Sequence, residues 1–183
     1  MLQLLNLDYR LFTFFNGLAG QWAWFDALAV IAADYMIFFM VAGIAGYVFY
    51  EKNQDRGFYN VIKMMVAILI SRGVLVTIVR IILVRARPFM AASVTQLLSQ
   101  SPLEQSFPSA HASMMFALAG SMYCADKRWG VVYLVLATVS GLARIIVGIH
   151  FPLDILGGAV LGILSVVLVE TVDRYLLRAR RKG

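Results

Sequence analysis

Long apolar runs, separated by short stretches that collect most of the charge, dominate the chain. A helix needs about 20 apolar residues to cross a hydrocarbon core of about 30 Å. Runs approaching or reaching that length extend from Asp34, or as early as Ala27, to Tyr50, from Val61 to Val84, from Val131 to Ile149 and from Ile155 to Leu176. Another, Ala110 to Ala125, is shorter and its ends are the least defined. Before them, Leu5, Leu11, Phe14, Phe15 and Leu18 form a one-sided stripe, which Gly17 and Gly20 interrupt and which Trp22 and Trp24 follow as interfacial anchors. The pattern predicts an all-α integral membrane protein, a helical bundle of five to six transmembrane helices with an N-terminal amphipathic helical segment. Five spans is the preferred count, with an amphipathic helix on the outer surface and a short helix leading into the first span, because the N-terminus carries little positive charge. The alternative is a broken sixth span. One domain is expected over residues 1–183: 1–33 the interfacial or broken helix, 34–177 the transmembrane core, 178–183 a basic cytoplasmic tail.

Composition agrees. Of 183 residues, 61% are hydrophobic and 14% charged, against about 45–50% and about 25% in soluble domains. Mean hydropathy is +0.80. The net charge of +6 does not point to nucleic acid, since no basic run is interleaved with aromatics. It resolves instead into cationic connections: Lys52, Arg56 and Lys63; Lys127 and Arg128; Arg174, Arg178, Arg180, Arg181 and Lys182. The positive-inside rule makes these cytoplasmic and the tail a contact for anionic lipid. The connections Arg85 to Pro108 and His150 to Asp154 then share the outer face, and they hold all four prolines. Met1 to Leu7 has no basic residue, so a cleaved leader is not expected. Cys124 is the only cysteine, which excludes an intrachain disulfide and a multi-cysteine metal site.

Both histidines of the chain fall in or beside the outer connections, near arginines. Arg80 precedes Arg87-Pro88 by seven residues, two helical turns, so if the helix persists to the loop the two guanidiniums share a face and can grip one polyanion. Ser109 stands at the N-cap of the next span, with the free amides of Ala110 and His111 facing outward as an anion site. Arg144 lies six residues before His150, and Asp154 four after it, within reach of the imidazole to fix its tautomer. Each has a structural counter-reading: an arginine at a helix end such as Arg80, Arg85 or Arg87 anchors by snorkelling, a serine merely caps, a membrane histidine satisfies a neighbour. Their convergence on one face argues for a site, because ionisable groups in a bilayer are costly. Arg72, in mid-span, is expected to form an internal ion pair, with a role in a polar cavity as the second reading. Gly158 and Gly162 read as a packing seam, and the loop from Met90 to Ser106 as a lid. Glu170 and Asp173 lie too far from the motifs to act there.

The three patterns resemble the tripartite signature of the type 2 phosphatidic-acid phosphatase superfamily: Lys-x6-Arg-Pro, Pro-Ser-Gly-His and Ser-Arg-x5-His-x3-Asp. Arg80 stands for the lysine, Ala110 for the glycine and Ala143 for the last serine. Loss of that serine puts one phosphate contact in doubt. The resemblance implies His150 as nucleophile, Asp154 as its orienting carboxylate and His111 as general acid and base. It also implies Arg80, Arg87, Arg144, Ser109 and the Ala110 amide as phosphate ligands, with no cofactor and no metal. The segments from Leu11 to Gly20, Arg85 to Phe89 and Gln105 to Ser109 are similar to the bacitracin-resistance type of undecaprenyl-diphosphate phosphatase. That implies a lipid diphosphate as substrate. Phosphatidylglycerophosphate, phosphatidate and lipid A remain alternative substrates, and a non-catalytic headgroup carrier the alternative from another class.

Overall fold

The computed structural model describes residues 2–91 and 94–180, all helix, turn and extended connection. Helix α1 spans Leu2–Asn16. Among the described residues, four helices are long and apolar enough to cross a membrane: α2 (Ala23–Tyr50), α3 (Gln54–Ile82), α6 (Lys127–Ile146) and α7, whose apolar part is Pro152–Ala179 and which continues to Arg180. A short α4 covers Pro88–Ala91, and α5, Ala110–Ala125, has 16 residues.

α5 is the centre of the bundle, packed against α3, α6 and α7. Its small residues and methionines are buried from Ala112 to Met122 almost without interruption, as expected of a helix that has no polar face to show. Met115, Leu118 and Met122 meet Met40, Met64 and Tyr133 in the main core. The predicted glycine seam is where α7 presses on α5: a Cβ on Gly158 would sit 2.5 Å from the Ser109 carbonyl, and one on Gly162 2.5 Å from that of Ser113.

Polar first turns, which an apolar count overlooks, lengthen the spans. α2 begins at Ala23, so the predicted short helix is the first part of the span rather than a separate element. α3 begins after Asn53, whose side chain accepts from the Arg56 amide, and α6 after Asp126, which accepts from the amides of Arg128 and Trp129. Lys63, expected beside a loop, is therefore inside α3 and bonds Glu170 at 2.8 Å and Asp173 at 3.4 Å. The predicted tail is helical through Arg180; residues 181–183 lie outside the described residues.

The N-terminal stripe faces the opposite way from a soluble amphipathic helix. Leu5, Leu11 and Phe14 are exposed, while Asp8, Phe12, Asn16 and Ala19 are buried. Lipid is the apolar solvent here, so apolar residues can face outward while Asp8 and Asn16 find their partners inward. Asp8 accepts from the Leu153 amide and from Arg85, and Asn16 donates to the Ile146 and Thr95 carbonyls at 2.8 Å each. Both anchors lie at one end of the bundle, so α1 lies across that end.

Candidate active site

Four elements meet under α1: the end of α3, the connection from 83 to 109, the start of α5 and the turn from α6 to α7. Gly148 makes that turn, with φ +83° and a Cβ position only 2.7 Å from the Thr95 carbonyl. A side chain fits neither requirement. The turn delivers His150 directly before α7.

Six predicted residues, Arg80, Arg87, Ala110, His111, Arg144 and His150, line one cavity of about 370 Å³; Arg72, Gln100 and Glu104 complete its wall. Gln100 and Glu104 come from the connection read as a lid, of which residues 92 and 93 lie outside the described residues. Arg87 is buried, donating to the Ile149 carbonyl, the Glu104 carbonyl and, at 2.9 Å, the Glu104 carboxylate. Burial lowers its proton affinity and the Glu104 charge opposes that. Arg80 donates to the Pro108 carbonyl at 3.1 Å. Arg144 donates at 2.7 Å to the Ala33 carbonyl, within a wide π turn of α2, Ile31–Tyr35. Such turns re-aim backbone groups near sites. The Nε atoms of Arg80 and Arg144 and Nε2 of His111 are buried with no hydrogen-bond partner among the described residues. Groups of that kind in a polar cavity are set for a ligand or water.

Behind the cavity lies the pair predicted from sequence. His150 Nδ1 is 3.4 Å from Asp154 Oδ2, which leaves Nε2 as the ring nitrogen on the cavity side. Asp154 is fully buried and further accepts from the Phe151 amide, Ser106 Oγ and Arg85. Burial first, then the Arg144 and Arg87 charges, push His150 down to about 4, against the hydrogen bond and charge of Asp154. The imidazole is therefore neutral near pH 7.

Three expectations change. Ser109 is fully buried and its hydroxyl accepts from the Ala112 amide, so it caps α5 and does not line the cavity. Ala143 packs with Ala29, Ala33, Val147 and Ile149, so a serine hydroxyl there would point into an apolar cluster rather than at phosphate. Arg72 has no ion pair among the described residues; its guanidinium lies 4.0 Å from Met114 Sδ, and it lines the cavity, the second of the two readings. Asp8, Arg85 and Ser106 were not singled out as site residues from sequence. Asp8 had a signal, the one acid in a helix rich in leucine and phenylalanine.

An apolar helical bundle with four guanidiniums and two imidazoles around one end cavity is a membrane protein whose site is built to take an anion. The chain belongs to the PAP2 superfamily, whose pattern matches residues 60–178. It is a phosphatase of that family. It is similar to the bacitracin transport permease protein BcrC of Bacillus licheniformis, 30% identical over 90% of this chain and 79% of that one. It is also similar to the undecaprenyl-diphosphatase BcrC of Bacillus subtilis, 24% identical over 86% of this chain and 80% of that one. Among solved structures it is similar to Aquifex aeolicus LpxE, with a TM-score of 0.69 and 25% identity over 90% of this chain and 95% of that chain.

Proposed function

We propose that the protein hydrolyses undecaprenyl diphosphate to undecaprenyl phosphate and phosphate through a phosphohistidine on His150. The observation that carries the chemistry is an imidazole, oriented through Nδ1 by buried Asp154, in a cavity walled by guanidiniums. The name of the Bacillus subtilis relative, an undecaprenyl-diphosphatase of which 80% is covered, supports a lipid diphosphate.

His150 Nε2 attacks the terminal phosphorus in line. The bond to the bridging oxygen breaks, its electron pair leaves with the lipid phosphate, and His111 supplies a proton to that oxygen. Asp154 stabilises the positive ring that forms. Water then attacks the phosphohistidine, His111 takes its proton, and the N–P bond breaks to release phosphate and free His150. Arg80, Arg87 and Arg144 hold the equatorial oxygens together with the Ala110 amide. These guanidiniums supply the compensating charge, so the proposal contains no metal ion. Ser109 holds the start of α5 in place.

The protein works as one multi-pass domain in the bacterial cytoplasmic membrane, with the site toward the periplasm or cell exterior. The placement of Lys52, Lys127, Arg128, Arg174 and Arg178 at the end opposite the cavity supports that orientation.

Phosphate release by the purified protein tests this, with undecaprenyl diphosphate compared by kcat/KM against phosphatidylglycerophosphate, phosphatidate and lipid A. The diphosphate is expected to lead, activity to persist in EDTA, and His150→Ala to remove both turnover and the acid-labile protein-bound phosphate. A preference for a monoester overturns the substrate, loss in EDTA the metal-free chemistry, and full activity of His150→Ala the nucleophile. Binding with no phosphate release from any lipid would make the protein a headgroup carrier.

A further inference from the structure

Arg72 is the cavity guanidinium to which the mechanism above gives no task. It lies in the wide turn of α3, Leu69–Leu75, where the Val76 amide donates to the Ser71 carbonyl five residues back. Arg72 and Arg80 are eight residues apart, which on an unbroken α-helix would leave them about 80° apart. The extra residue of the π turn acts to rotate them back toward one face, and both line the cavity.

A guanidinium in mid-span needs a counter-charge. None of the described carboxylates forms an ion pair with Arg72, and the carboxylate on the cavity wall, Glu104, is held by Arg87. The wall therefore carries four guanidiniums against one carboxylate. A phosphate monoester brings up to two negative charges and a diphosphate up to three, so the fourth cation exceeds what a monoester calls for.

Its position gives it a direction. Arg72 touches Met114, which follows His111 by three residues, one helical turn farther along α5. His111 is the group that protonates the departing oxygen, so Arg72 stands on the leaving-group side, toward the membrane interior.

We propose that Arg72 binds the inner phosphate of a lipid diphosphate, the one joined to the lipid alcohol, while Arg80, Arg87 and Arg144 hold the terminal phosphate. This rests on the diphosphatase reading above and makes Arg72 the residue that selects a diphosphate over a monoester. As the bond to the bridging oxygen breaks, that oxygen becomes part of the inner phosphate. His111 protonates it and Arg72 stabilises the charge that remains.

The test compares wild type with Arg72→Gln and Arg72→Lys. Turnover of farnesyl diphosphate and of phosphatidate is measured, and inhibition by methylenediphosphonate and by inorganic phosphate. Arg72→Gln is expected to lose roughly 30-fold in kcat/KM on the diphosphate and roughly tenfold in methylenediphosphonate affinity. Phosphatidate turnover and inhibition by inorganic phosphate should stay within about threefold, which also reports an intact fold, and Arg72→Lys should recover part of the loss. Equal losses on both substrates and both inhibitors, or no loss on any, overturns the proposal. A wild type that cleaves phosphatidate but not prenyl diphosphate fails the diphosphatase reading itself; the two inhibitors still judge Arg72 in that case.

Discussion

Arg85 donates to Asp154 at 2.8 Å through one terminal nitrogen and to Asp8 through the other, so the N-terminal helix is tied to the carboxylate behind His150. Its guanidinium also lies over the Phe151 ring, 4.1 Å from the centroid. Both carboxylates have fully buried side chains, and truncating Arg85 would leave two uncompensated charges. Losing one partner of a buried pair costs about 3–5 kcal/mol. Arg85→Met should therefore lower the thermal midpoint in detergent markedly and abolish turnover. Asp8→Asn is milder, because the amide oxygen can still accept from Leu153. It should lower kcat by roughly tenfold and leave KM nearly unchanged. A KM effect with normal kcat would show that α1 serves substrate entry instead.

Burial sets the acid limb of the pH profile. His150, in the turn between α6 and α7, titrates at about 4 in the folded protein against an ordinary value of 6.5. The neutral nucleophile should persist well below pH 6, with the limb of kcat/KM that belongs to His150 falling near 4. The same difference governs stability. The unfolded chain takes up this proton first, so the contribution of neutral His150 is complete above about 6.5 and is lost as the pH falls from there toward 4. Asp154→Asn removes a group that raises the proton affinity, so the limb should move lower and kcat fall by roughly 10²-fold or more. A limb that stays near 6.5 in both proteins would remove His150 from this assignment.

The bundle and the three motifs were legible because their information is local. Apolar runs mark spans, and alternating topology brings Arg80, Arg87, His111, Arg144 and His150 to one end. What was not legible depends on contacts far apart in sequence or on the solvent. Asp8 meets Arg85 across 77 positions. The exposed Leu5, Leu11 and Phe14 form a stripe that in water would mark the packed face, and in lipid marks the outer one. Ala143 faces an apolar cluster built from another helix and the following turn, and Arg72 is aimed by a π turn in its own helix that no residue spacing announces.

Glu104 occupies Arg87 at 2.9 Å while its own side chain is more than half exposed, at 56%. A substrate phosphate must share or displace it. Exposed ion pairs contribute about 0–1 kcal/mol, so Glu104→Gln should lower KM for the diphosphate by roughly twofold to fivefold and change kcat little. Tighter competitive inhibition by inorganic phosphate should accompany it. An increased KM would mean that Glu104 aligns Arg87 rather than competing with the substrate.

Cap and seam can be separated from phosphate binding by two substitutions at the start of α5. Ser109 spends its hydroxyl on the Ala112 amide, 3.3 Å away, so Ser109→Ala should cost about 1 kcal/mol of stability and keep kcat within roughly tenfold. A loss of 10³-fold with unchanged stability would make the hydroxyl a phosphate ligand instead. Gly158 and Gly162 face α5 equally closely, but Gly158 abuts the Ser109 carbonyl and Gly162 lies one turn farther from the cavity. Alanine at either should destabilise by about 1–3 kcal/mol through overpacking. Only Gly158→Ala should also displace Ala110 and His111, so at matched thermal stability it should show the larger fall in kcat. If the two variants lose the same activity, the seam acts on the fold alone and not on the position of the α5 N-terminus.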